Sequence, residues 1–312
     1  MKRSVVLSID VGGTYYKAAV LDARSYEILP GSLFEHPSFS NENRVKILEA
    51  FIQVISRGIS FLEASAQPLE LTRIAFDCPG PFDYVKGQAV MRHKFNAIFG
   101  VPLTPIIRSE CDISKDIPVV FHHDLHAFTY GVCRFGSGRG FDSVFCVTIG
   151  TGLGTGCFRG GRIDMNIDGT PKYPMFEKPY GGGIVEDIVS NRGLTAQYNE
   201  RCDSDPAVDA KDIELRAISR QDRVAYEVYE EMGRVLGKTL LPVLEQLKIE
   251  ALIIGGQISK GFELFGDSLR DELVSCESLS LIAPAQDLSS TAIRGCGAIP
   301  LSWYEAYREE QP

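Results

Sequence analysis

Residues 5–21 read Val-Val-Leu-Ser-Ile-Asp-Val-Gly-Gly-Thr-Tyr-Tyr-Lys-Ala-Ala-Val-Leu. Val5 to Ile9 is a short β-rich run, Asp10-Val11-Gly12-Gly13-Thr14 interrupts it, and Tyr16 to Leu21 is a second β-rich run. The pattern predicts a hairpin turned at the glycines. A glycine turn after a strand also suits phosphate, because bare backbone approaches an anion closely and presents N–H donors to it. Tight hairpins need glycine too, so this turn taken singly leaves both uses open.

The pattern returns later in the chain. Ser143 to Ile149 is a strand, Gly150-Thr151-Gly152-Leu153-Gly154-Thr155-Gly156 follows, and Cys157-Phe158 begins another strand. Neither turn fits Gly-x-x-x-x-Gly-Lys-Ser/Thr, which excludes a P-loop. Gly150-x-Gly152-x-x-Thr155 only brushes the dinucleotide fingerprint, since a strand rather than a helix follows it. Two halves that each open with strand, glycine turn and strand predict duplicated α/β lobes facing a cleft.

Apolar positions at helical spacing across 43–65 predict an amphipathic helix, and those at Val224, Val228, Met232, Val235, Leu236 and Leu240 predict a longer one over 222–247. Leu71 to Phe76 reads as a strand stopped by Cys78-Pro79-Gly80-Pro81. Pro118 to Phe121 is a brief strand running into His122-His123-Asp124, after which Leu125 to Cys133 starts a helix. Ala251 to Ile254 is a strand ending in Gly255-Gly256.

Composition narrows the functional classes. The chain has 312 residues, enough for two lobes of about 100–200 residues each. Its net charge of −9 argues against a nucleic-acid partner, which selects for clustered Lys and Arg. The eight cysteines are scattered, with no Cys-x-x-Cys, and read as buried reduced thiols. His122, His123 and His126 have a spacing that converges poorly on a metal. No apolar run of about 18 residues predicts a membrane span, and the N-terminus lacks a signal-peptide pattern. A cytoplasmic protein is expected.

The order Asp10-x-Gly12-Gly13-Thr14, an isolated Asp124 after a strand, Gly150-Thr151-Gly152-x-Gly154 and Gly255-Gly256 resembles the ROK family of sugar kinases and repressors. That family lies within the actin, hexokinase and heat-shock ATPase superfamily. Pro79-Gly80-Pro81 with Asp83 and Gly87, Gly100-Val101-Pro102-Leu103, Glu186 and the terminal Gly295-Cys296-Gly297-Ala298 extend the resemblance over nearly the whole chain. It implies an α/β, two-lobed actin-like ATPase (ribonuclease H-like) fold with a cleft between lobes. The small lobe is expected over 1–121 plus 296–312 and the larger over 122–295.

The resemblance also implies an ATP- and Mg2+-dependent sugar kinase. Asp124 matches the catalytic base, and a helix N-cap is its structural alternative. Asp10 matches the aspartate that acts on magnesium through water. Gly12, Gly13 and Thr14 are expected at the transferred phosphate, Gly150, Thr151, Gly152 and Gly154 at the rest of the triphosphate, Gly255 and Gly256 at the adenosine, and Lys17 among the phosphate- and ATP-binding residues. Gly80, Lys94, His123 and Glu186 are the expected sugar contacts, with a first-turn helix-dipole role as the alternative for Glu186. A homodimer is the implied assembly, with a sugar and ATP as small-molecule partners.

Four departures bear on the sugar side. The family's zinc loop of three cysteines and a histidine is absent: aligned on Glu186, the cysteine positions hold Glu177, Pro179 and Ile184, so no structural zinc is expected. The family's Glu-x-Gly-His has no counterpart in Asp164-Met165-Asn166-Ile167-Asp168-Gly169. His123 stands where Asn usually precedes the base, and Lys94 replaces a sugar-loop Asn. These changes fit either an anionic or unusual acceptor or a site that no longer catalyses. A sugar-sensing protein of weak or no activity is therefore the competing reading. The chain enters its first strand by residue 5, which leaves no room ahead for a repressor's helix-turn-helix.

Overall fold

The computed structural model describes residues 2–203, 207–219 and 222–303. It divides into two compact units, Met1–Gly136 with Met165–Pro171 and Ser289–Pro312, and Ser137–Asp164 with Lys172–Leu288.

In unit 1, β1 (Arg3–Val11) and β2 (Tyr15–Asp22) form the expected hairpin, with Asp10 opposite Lys17. β3 (Phe34–Pro37) extends the antiparallel edge. Helix α1 (Arg44–Ala64), capped by Asn43, crosses back to β4 (Leu69–Cys78), which pairs parallel with β1. The small hairpin β5 (Phe82–Asp83) and β6 (Gln88–Ala89) and the helix α2 (Leu103–Glu110) lead to β7 (Val119–His123), parallel to β4. Helix α3 (Asp124–Phe135) follows without a gap. The sheet order is β3-β2-β1-β4-β7.

Strand alternation sorts this sheet into two faces. Val5, Leu7 and Ile9, with Ile74, Phe76 and Phe121, join α1 in one core whose centre is Tyr16, Phe51, Phe76 and Phe95. The other face carries Val6, Ala75 and Val120 and therefore also Asp10, Asp77 and His122, which are in register across β1, β4 and β7.

Unit 2 repeats the plan. β8 (Ser143–Ile149), β9 (Leu153–Arg159) and β10 (Arg162–Asp164) are antiparallel neighbours. The hairpin β11 (Pro179–Tyr180) and β12 (Gly183–Ile184) precedes α4 (Asn191–Cys202), α5 (Ala210–Ser219) and α6 (Arg223–Leu247). Then come β13 (Ala251–Gly255), α7 (Phe262–Glu272) and β14 (Leu281–Pro284), with β13 parallel to both β8 and β14. The order β10-β9-β8-β13-β14 matches unit 1 strand for strand. This is the actin-like ATPase (ribonuclease H-like) fold, with the duplication legible in the two glycine turns.

The last helix, α8 (Leu288–Ala298), returns to unit 1. A Cβ built on Gly295 would sit 1.9 Å from the Ala127 carbonyl oxygen, so α3 and α8 touch backbone to backbone and only glycine fits there. Together with Ile293 and Cys296, this contact ties α3 to the unit 1 sheet. The division accordingly falls after Gly136 rather than at the expected 121/122, and α8 joins unit 1 from Ser289 rather than from residue 296. Among the described residues, no helix is long and apolar enough to cross a membrane.

Candidate functional site

β1, β4 and β7 run parallel, so their C-terminal ends open on the same edge of the sheet, where ligands of open α/β sheets gather. Asp10, Asp77 and Asp124 come from these three ends. Asp77 is 1% exposed, and its carboxyl is hydrogen-bonded to that of Asp10. Burial raises both carboxyls above their ordinary range, Asp77 most, and the charges of Asp10 and Asp124 push Asp77 further up. Of the two, Asp77 is the one held furthest toward its neutral form. Lys17, across the hairpin from Asp10, lowers the Asp10 carboxyl; its own ammonium meets Ser289 at 3.1 Å and Glu35 at 3.6 Å.

Asp124 is the first residue of α3, and the capping position belongs to His123, whose Nδ1 accepts from the Leu125 N–H at 3.2 Å. Asp124 Oδ1 accepts from the same N–H at 2.7 Å and lies 2.7 Å from His123 Nδ1. The Asp124 side chain is 43% exposed. His123 also meets Gly80: a Cβ there would lie 3.3 Å from its Nε2. Tyr84 and His126 each pack on the His123 ring at 5.5 Å between ring centres. Gly80 and His123, both expected on the sugar, are thus brought together beside Asp124.

Lys94 lies against the first glycine turn. Its side chain crosses Gly13, in the turn Gly12-Gly13-Thr14, with Cε 3.0 Å and Nζ 3.1 Å from a Cβ built on that glycine. Thr14 is exposed at the turn, and its carbonyl accepts from the Ser38 N–H at 3.0 Å.

In unit 2 the glycine turns meet at the ends of adjacent parallel strands. Gly150 follows β8, Gly255 closes β13, and Gly256, at φ +84°, packs on the backbone of Ile149. Within the first turn the Gly150 N–H donates to the Gly152 carbonyl at 3.0 Å, and the Gly150 carbonyl accepts from Asn191 at 2.8 Å. Thr151 is exposed, and Gly154 lies in β9 opposite Thr148. Glu186 sits in a short 3-10 turn after β12, and its Oε2 accepts the Leu153 N–H at 2.9 Å. Arg192 stands 3.7 Å from Glu186 Oε1. The helix that follows begins only at Asn191, capped by Ser190, so Glu186 is not in its first turn. Pro179 and Ile184, two of the positions aligned with the family's cysteines, are cross-strand partners in the β11–β12 hairpin. Backbone pairing closes that loop.

Among the described residues, no group of three or more His, Cys, Asp or Glu is arranged to hold a metal ion. Mg2+ needs less, one or two carboxylates plus substrate phosphates and water, and the Asp10 carboxyl beside the Gly12–Thr14 turn is of the kind that requirement names. All eight cysteines are free thiols; Cys202 is exposed and Cys111 half-buried, and the rest are buried.

Asp77 and the serines that hold Gly13 were not singled out from the sequence. An Asp closing the apolar run Ile74-Ala75-Phe76 was the available signal for Asp77. Read as the end of a strand at Phe76, it fell into the turn; β4 in fact runs two residues further.

The model of the ROK family matches residues 6–171 and 179–295, and the match breaks at the segment leading into the β11–β12 hairpin. The glucokinase of Streptomyces coelicolor is 23% identical over 295 residues, covering 85% of this chain and 86% of its own. The DNA-binding transcriptional repressor Mlc of Escherichia coli is 23% identical over 258 residues, covering 76% of this chain and 63% of the repressor. The structure of a ROK family glucokinase from Streptomyces griseus in complex with glucose and AMPPNP has a TM-score of 0.73 at 22% identity, covering 96% of this chain and 99% of that one.

Proposed function

Because this chain belongs to the ROK family, we propose that it is an ATP-dependent kinase acting on a hydroxyl of a hexose or amino sugar, with Asp124 as general base. One observation carries the reading: Asp124 stands at the mouth of a parallel sheet, with Oδ1 accepting the Leu125 N–H beside the His123 ring and with its side chain 43% exposed. The acceptor hydroxyl donates its hydrogen bond to Oδ2. As its oxygen bonds to the γ-phosphorus and the bond to the β–γ bridging oxygen breaks, its proton passes to Asp124, a contribution of about a hundred- to ten-thousand-fold in rate.

The remaining residues position and neutralise. Backbone N–H groups of Gly12, Gly13 and Thr14 face the transferred group; Gly150, Thr151, Gly152 and Gly154 hold the rest of the triphosphate, and Gly255 and Gly256 pack the adenosine. Mg2+, when bound, offsets phosphate charge, and Asp10 would hold it through water. The hydrogen bond between the Asp77 and Asp10 carboxyls fixes the orientation of Asp10. Gly80 and His123 form the sugar side.

A coupled ADP-release assay over hexoses, N-acetylamino sugars and sugar acids tests this, with Asp124→Asn alongside. Sugar-stimulated turnover that disappears in the variant is expected. A second reading, a sugar-sensing regulator, is favoured by the engagement of Glu186 with Leu153 and by the similarity to Mlc. Nucleotide binding with no turnover on any acceptor would select it.

A further inference from the structure

Lys94 was expected on the sugar, yet it lies against the glycine turn of β1 and β2. A Cβ on Gly13 would come within 3.0 Å of Lys94 Cε and 3.1 Å of both Cδ and Nζ, so the end of the side chain covers the middle glycine of Gly12-Gly13-Thr14.

A chain of short contacts fixes this placement. The hydroxyls of Ser38 and Ser40 donate to the Gly13 carbonyl at 2.7 and 2.5 Å. The Ser40 carbonyl in turn accepts the N–H of Phe95, the residue after Lys94, at 2.7 Å. Phe95 is 2% exposed, adopts φ +53° and rests against Tyr16 and Phe51, each at 6.3 Å between ring centres. Gly13 and Lys94 are therefore held by one serine and one buried aromatic ring. Lys94 is half-buried as a residue, and among the described residues no ion pair joins its ammonium to a carboxylate. A cation with no carboxylate partner, set on a glycine turn whose backbone N–H groups suit phosphate, is matched by an anion.

We propose that Lys94 is a catalytic residue whose ammonium binds the phosphoryl group in transfer at the Gly12-Gly13-Thr14 turn, and does not bind the sugar. This rests on the kinase reading. Lys94 exchanges no proton: the acceptor oxygen bonds to phosphorus, ADP leaves with the bridging-oxygen electron pair, and the hydroxyl proton goes to Asp124. The ammonium matches charge that builds on the equatorial oxygens, the kind of donor whose removal costs about a hundred- to a thousand-fold in kcat.

The test uses the full chain with the acceptor that gives the highest turnover. Lys94→Ala and Lys94→Gln should lower kcat by about two to three orders of magnitude while the sugar KM stays near wild type, and Lys94→Arg should recover part of kcat. Unchanged thermal melting shows that the variants fold. A kcat that survives in Lys94→Ala, or a loss confined to the sugar KM or to sugar-acid acceptors, overturns the assignment and leaves the kinase reading standing. Absence of sugar-stimulated turnover in the wild type removes both.

Discussion

Asp77 lies fully buried and in register with Asp10 on the neighbouring parallel strand, its carboxyl hydrogen-bonded to that of Asp10. Burial first, then the charges of Asp10 and Asp124, hold its carboxyl well above the ordinary carboxylate range. Its folded-state pKa is raised, so above 3.8 the unfolded chain releases a proton that the folded chain keeps. Its effect on stability is therefore favourable at low pH and fades as pH rises, by up to about 1.4 kcal/mol per pH unit. Asp77→Asn keeps the donor to Asp10 without that penalty. The variant is expected to gain stability relative to wild type as pH rises above 3.8 in urea titrations, with kcat little changed. A gap that does not widen with pH would place the proton elsewhere.

The buried histidines run the opposite way. His122 is pushed down to about 3, first by burial and then by the Arg73 charge, and burial holds His126 well below its ordinary value. Each stays neutral in the fold while the unfolded imidazole takes a proton near 6.5. Their contribution is whole above that value and is lost as pH falls from 6.5 toward 3, at up to about 1.4 kcal/mol per pH unit for each ring. Urea midpoints measured from pH 7.5 to 4.5 should fall accordingly. His126→Leu should flatten the slope by about one proton's worth, and an unaltered slope in that variant would count against a neutral buried His126.

Glycines that look alike in the sequence differ in what they tolerate. A Cβ at Gly256 would sit 2.3 Å from the Ile149 carbonyl oxygen on a backbone at φ +84°, whereas one at Gly150 meets nothing within 4 Å. Gly256→Ala is therefore expected to destabilise by roughly 3 kcal/mol or more, from overpacking and backbone strain together. Gly150→Ala should leave the melting temperature unchanged yet raise the KM for ATP if triphosphate oxygens approach that turn. Equal melting temperatures for the two variants would refute the distinction.

The same contrast explains what was legible in the sequence. The strand–glycine–strand pattern is local, so both hairpins, the helices over 44–64 and 223–247, and the position of Asp124 after β7 followed from periodicity and turn residues. Asp77 depended on strand parity and on a register across two strands, neither visible until β4 is extended to Cys78. Lys94 depended on a loop folded back through Ser40 and a left-handed Phe95. His123 took the capping place that the side-chain preferences assign to Asp124, because its Nδ1 reaches the Leu125 N–H while Asp124 begins the helix.

Glu186 gives the sharpest split between two roles. Its Oε2 accepts the Leu153 N–H, and a Cβ on Gly152 would lie 2.6 Å from the same oxygen, so the carboxylate braces the 150–154 turn. Its own backbone N–H is tied to the Phe176 carbonyl at 3.2 Å, which fixes the direction from which it reaches the turn. Glu186→Ala leaves the Leu153 N–H without its acceptor, a loss of about 1–3 kcal/mol that should appear as a roughly five- to hundredfold rise in the ATP KM with the sugar KM unmoved. Glu186→Gln retains a carbonyl oxygen for that N–H and should restore most of the ATP affinity. A sugar-binding carboxylate would give the reverse: the Gln variant would raise the sugar KM and leave ATP untouched. Steady-state kinetics with each substrate varied in turn decides between them.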